Sequence, residues 1–230
     1  MTFVDTLAFQ LFTLAFVSGL LFYSGLVGYV TYLKFGPRRT LEHLKAQAVP
    51  LGGLGVVVAS IGLWGEVVWP LPGSYNILFF DPYLLLGVVL IGFAVSVGFR
   101  WRTQYIGLLA AMTGLLSIYY GANAYHLGLT KEPLAMFLLY VAMGGTAVFT
   151  FPVTLWIDRY IMTPITATET PGGSNAGTTS SPSEAVSAMT SQVKILFGGF
   201  LVFLLFAVGS AIMAIIIGGG ALPSHLSTAP

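Results

Sequence analysis

Six times between its ends the sequence runs apolar for long enough to cross a lipid bilayer, and this recurrence limits the fold more than any motif. A spanning helix needs about 17–25 predominantly apolar residues. Runs of that kind occupy residues 6–33, 49–69, 83–99, 103–125, 133–157 and 193–218. They are continuously apolar and too long for the alternating strands of a membrane barrel, which take about 10 residues. Only 7% of the residues are charged, and the mean hydropathy is +0.88. Soluble domains carry about 25% charged residues, so this chain lacks the supply to coat a surface facing water. The expected fold class is all-α: a polytopic six-helix transmembrane bundle.

The rare charges then set an orientation. Lys34, Arg38, Arg39 and Lys45 fall between the first two runs, Arg100 and Arg102 between the third and fourth, and Arg159 and Lys194 between the fifth and sixth. These alternate connections share one side and collect all the basic residues except Lys131. Because basic residues stay cytoplasmic, both termini are expected outside a cell membrane. Asp5 and the late first basic residue, Lys34, do not make the positive start of a secretory signal. The first run is therefore expected to remain as a spanning helix.

Residues 163–192 break the pattern, being rich in Ser, Thr, Gly, Ala and Pro, with only Glu169 and Glu184 charged. Such a segment buries too little apolar surface to offset its ordering entropy. The expected division is thus a five-helix bundle (1–162), a flexible cytoplasmic linker (163–192), a sixth helix (193–218) and a short extracellular tail (219–230). The sixth helix has no charged side chain between Ile195 and Gly218 and reads as peripheral, free to bind lipid or another membrane subunit. Residues 69–82 hold Pro70, Pro72 and Gly73, which forbid a regular helix. Asp81 followed by Pro82 reads as the cap and first residue of the third helix.

Several chemistries are excluded outright. There is no cysteine, hence no disulfide, thiolate zinc site or cysteine nucleophile. A net charge of +1 gives no basic field for nucleic acid. No P-loop, nucleophile elbow or zinc-protease motif is present.

What remains gathers at the outer end. Gly55, Ala59 and Gly62 form a small-residue stripe of the kind that lets membrane helices approach closely, and Glu66 continues that stripe toward the bundle. Gly107, Ala111, Gly114 and Gly121 form a second stripe, best read as packing. Tyr119, Asn123 and His126 share one helix face by their spacing of four and three. Together with Asp81 these residues make the expected ligand or ion site, and Glu66, Asp81 and His126 are the donors that a divalent metal would use. Set against this, an interfacial carboxylate can simply be hydrogen-bonded to a loop, and a lone His at a helix end is most often a terminus residue. Haem or quinone at His126 is the alternative, with a single axial ligand, because His43 and His225 lie at other levels.

The string from Trp69 to Asn76 (WPLPGSYN), then Asp81-Pro82, resembles a family of prokaryotic, largely archaeal, integral membrane proteins catalogued as domain of unknown function nine-eighty-one. The segment from Tyr120 to Leu127 (YGANAYHL), followed by Pro133, is similar to a further part of it. The resemblance extends over about residues 1–215. It implies a multi-helix membrane protein and brings no catalytic residues with it. The expected function is a non-enzymatic accessory subunit or a small-solute or ion pathway with a polar outer site. The rival is a membrane oxidoreductase subunit.

Overall fold

The computed structural model describes residues 6–163 and 191–226. The expected linker falls outside these except at its edges, as do residues 1–5 and 227–230. The described residues form five helices, all long and apolar enough to cross a membrane. They are α1 (Thr6–Val68), α2 (Ser74–Gly98), α3 (Gln104–His126), α4 (Pro133–Ile157, continued by a π turn over Asp158–Met162) and α5 (Ser191–Leu226).

The expected count of six is not matched, because the first two runs belong to one 63-residue element. Straight, it would reach about 95 Å, three times the roughly 30 Å of a hydrocarbon core. It is broken at Gly36, whose φ of 77° and ψ of −173° are not helical. Pro37 follows, and the residue before a proline is pushed out of the helical region, while only glycine takes the positive φ without strain. The chain turns back there. Gly28 on the first arm lies against Leu44 on the second, and Val17 shares a core cluster with Leu51 and Val58. The basic segment from Lys34 to Lys45, expected as a loop, is therefore the helical bend itself.

The remaining neighbours also run antiparallel. The second arm packs on α2 through Gly52 against Ala94, Gly55 against Ile91, Ala59 against Gly87 and Gly62 against Leu84. In the same way Gly107, Gly114 and Gly121 of α3 meet Thr154, Gly144 and Tyr140. Gly145 and Gly199 bring α4 and α5 together, and Gly25 and Gly218 bring α5 onto the first arm. Gly92 against Ile106 joins α2 to α3, which closes a ring of six rods. The expected peripheral last helix is one of its staves: Ala207, Ser210 and Ala214 are fully buried, and the Ser210 hydroxyl meets that of Thr146 at 3.1 Å. It also continues to Leu226, so the first part of the expected tail is helical.

The alternation puts Val68, Ser74, His126 and Pro133 at one end of the ring. At the other lie Gly36, Gly98, Gln104 and Asp158. Eight of the nine basic residues belong to the second end and only Lys131 to the first. One helix start departs from expectation. α2 begins at Ser74, so Asp81 and Pro82 sit inside it. Pro82 has no N–H for the Leu78 carbonyl, and the Tyr140 hydroxyl donates to that oxygen instead, at 2.5 Å. Buried Asn76 pins the short connection, donating to the Gly65 carbonyl at 3.0 Å and accepting from the Leu71 amide at 3.2 Å. At the start of α3 the cap comes from another helix. Asp158 Oδ1 accepts from the Thr103 amide and hydroxyl, both at 2.8 Å, and Oδ2 from the Gln104 amide at 2.9 Å.

Candidate functional site

At the end holding Val68 and Ser74, three helices bring polar side chains together. The Gly62 and Gly65 contacts seat the second arm so closely on α2 that Phe80 covers Gly65. Glu66 and Asp81, one residue further along each helix, therefore face each other with their carboxyls at hydrogen-bonding range. Tyr120 of α3 donates its hydroxyl to Asp81 Oδ2 at 2.9 Å. Glu66 is half-buried, and its Oε1 is buried with no hydrogen-bond partner. No Lys or Arg among the described residues pairs with either acid; the Arg39–Glu42 bridge is at the opposite end. Two facing carboxylates without a counter-charge repel each other, and anything positive between them relieves that repulsion. The arrangement therefore suits one proton or one small cation.

The other expected members stand apart. Tyr119 is 63% exposed, and Asn123 and His126 are exposed on the same outward face of α3. Asn123 donates back to the Tyr119 carbonyl at 2.8 Å, and the His126 ring lies edge-on to Tyr125. Among the described residues no group of three His, Asp or Glu side chains is placed to hold a metal ion. Glu66, Asp81 and His126 are thus not assembled into the expected donor set.

Tyr120 was the residue to read in place of Tyr119. Thr113, Ser117, Tyr120 and Ala124 recur at spacings of four, three and four, a hydroxyl-bearing stripe on the inward face of α3, with Thr113, Ser117 and Ala124 buried.

The ring also encloses space. A cavity of about 110 Å³ touches every rod, between Ser24, Thr40 and Gln47 on α1 and Thr146, Thr150 and Thr154 on α4. A second cavity of about 80 Å³ adjoins it, sharing Leu86, Thr113, Met143 and Ala147, and reaches Gln10 and Tyr140 toward the Glu66 end. Both are mainly apolar. Gln10 Nε2, Ser24 Oγ and Gln47 Oε1 are buried along them without a hydrogen-bond partner. An unsatisfied buried group costs about 1–3 kcal/mol, so these three positions are not explained by packing.

An all-helical ring of membrane-length apolar helices, with polar side chains gathered at one end, is the class these observations define. The chain belongs to the family described as Protein of unknown function (DUF981), whose profile matches residues 1–168. The match takes in α1 to α4 and ends before α5, short of the 1–215 expected from the motifs. No curated protein and no solved structure matches the chain.

Proposed function

We propose that this chain crosses a prokaryotic plasma membrane six times, with both termini outside, and acts as a small-solute or ion pathway rather than as an enzyme. The two arms of α1 account for two of the six crossings. Its polar outer site is Glu66, Asp81 and Tyr120, which takes up a proton or a small cation. The observation that carries this reading is the pair of facing carboxyls with a buried, unpartnered Glu66 oxygen and, among the described residues, no basic side chain paired with either acid.

Orientation is tested by labelling. The natural chain has no cysteine, so Trp101→Cys and Glu132→Cys are clean single sites on exposed connections. A membrane-impermeant maleimide added to intact cells is expected to label Cys at 132 and to leave 101 unlabelled until the cells are opened. The reverse pattern overturns the orientation.

The site is tested by Glu66→Gln in proteoliposomes, followed as proton or sodium flux. Gln keeps the shape and loses the charge. A fall of about tenfold, equivalent to about 1.4 kcal/mol of cation affinity, is expected with an unchanged unfolding midpoint. Unchanged flux in Glu66→Gln, together with a loosened fold in Glu66→Leu, would reduce Glu66 to an anchor for the connection.

A further inference from the structure

The larger of the two adjoining cavities inside the ring lies away from the acidic end and is built for a different occupant. The two arms of α1 are related by the turn at Gly36, with Gly28 opposite Leu44, so Ser24 comes level with Gln47 and Ala48. Both Ser24 and Gln47 line the cavity, and they are only 6% and 7% exposed. Ser18, Tyr29 and Thr113 also bring hydroxyls to the cavity wall, and four threonine hydroxyls there are spent on their own helices. Thr40 donates to the Gly36 carbonyl at 2.9 Å, Thr146 to Ala142 at 2.9 Å, Thr150 to Thr146 at 2.9 Å and Thr154 to Phe151 at 2.8 Å. Among the described residues, Ser24 Oγ and Gln47 Oε1 are the unpartnered buried atoms that belong to this cavity's lining. The other end of the Gln47 amide is held by the His43 ring one turn away, which leaves its free atom aimed inward. Exchanging the amide nitrogen and oxygen would still present one polar atom to the cavity.

Around these two groups the wall is apolar and aromatic: Leu21, Leu51, Phe93, Trp156, Phe200 and Phe203 among others. A cavity of about 150 Å³ with apolar walls admits benzene, so about 110 Å³ limits the occupant to at most a single small ring or a short alkyl chain. A charged molecule finds no counter-charge here. The wall is mainly hydrocarbon, whereas each water of a chain needs two to four polar contacts.

We infer that the cavity between the arms of α1 and helices α2 to α5 binds a small uncharged molecule with an apolar ring or short alkyl body and one hydroxyl. The hydroxyl sits between Ser24 and Gln47, donating to one and accepting from the other, and the body fills the aromatic end beside Trp156. The site is independent of the Glu66 cluster and stands whether or not that cluster takes up a cation.

Two fluorinated probes of nearly equal shape test it: 4-fluorophenol, which carries the hydroxyl, and fluorobenzene, which lacks it. With the full chain in detergent micelles, ¹⁹F NMR is expected to show saturable binding of 4-fluorophenol that excess phenol displaces. Fluorobenzene should bind about fivefold more weakly, the scale of one net hydrogen bond. Ser24→Ala and Gln47→Leu should each lower 4-fluorophenol binding by about the same factor. Their thermal midpoints should stay level or rise, because each removes an unsatisfied group. Equal binding of the two probes, no displaceable binding to folded protein, or unchanged binding in both variants would each overturn the inference. Glu66→Gln should leave the probe binding untouched, which keeps this result separate from the flux measurement.

Discussion

Gly87→Ala is expected to lower the unfolding free energy by about 2–4 kcal/mol, the upper range for overfilling a packed interior. Gly53→Ala, the same change on the helix opposite, should raise it by up to about 1 kcal/mol through helix propensity. The difference is entirely one of place. A methyl on Gly87 would fall within 2.7 Å of Ala59 Cα and press on the Ala59 amide nitrogen. Those are backbone atoms, and no rotamer change relieves them. A methyl on Gly53 meets nothing within 4 Å. Thermal unfolding of both variants in one detergent checks the sign as well as the size. Helix association in lipid depends on close packing rather than on burial from water, so parting the second arm from α2 removes the main force between them. It also separates Glu66 from Asp81, since each follows directly on the Gly65–Phe80 contact. Gly87→Ala should therefore lose flux along with stability, whereas Glu66→Gln loses flux alone. Equal midpoints for the two glycine variants would mean that this contact does not hold the ring.

The small-residue stripe of the second arm was legible because its cause is local: glycine and alanine at helical spacing in an apolar run have little use except close approach. That stripe turned Glu66 toward the bundle. The partner surface was not legible, because Gly87 is a single glycine among Leu and Val and gains meaning only opposite Ala59. The start of α2 was misjudged for a similar reason. Asp81-Pro82 has every local mark of a helix start, and the mark is overridden by the Tyr140 hydroxyl, which comes from a residue almost sixty positions away and meets the Leu78 carbonyl that Pro82 leaves unpaired. Gly36-Pro37, just past the end of the first apolar run, carries a local signal of a break in the helix. It did not signal that the turn would take no loop at all, so basic residues counted as loop became part of the bend. On α3, two neighbouring tyrosines differ by 100° around the axis. Spacing to Asn123 and His126 favoured Tyr119, while spacing to Thr113 and Ser117 selects Tyr120, the one that reaches Asp81. Polarity alone did not separate a face turned outward from one turned inward; continuity with buried hydroxyls does.

Asp158→Ala is expected to cost about 2–4 kcal/mol. Its carboxylate takes three hydrogen bonds from the first residues of α3. Capping side chains contribute about 0.5–2 kcal/mol, hydrogen bonds to a charged group about 1.5–3, and a negative charge at a helix N-terminus adds to both. Asp158→Asn should fall between. Its oxygen can keep the Thr103 pair, but its amide then points a donor at the Gln104 N–H. Hydrogen exchange should accelerate over residues 103–108 in both variants and most in Ala, while the start of α2 stays protected. A lowered midpoint with no local change in exchange would mean that Asp158 works elsewhere. Asp158 and Glu66 are both acids in apolar helices, and such residues are commonly assigned to function. Their surroundings separate them. Asp158 has every oxygen answered by a donor from the helix that it caps, so losing it should damage structure first. Glu66 keeps one buried oxygen unanswered and faces a second acid, a poor way to hold a fold together and a good way to hold a cation. The same pair of measurements, midpoint and flux, should therefore move in opposite order for the two residues.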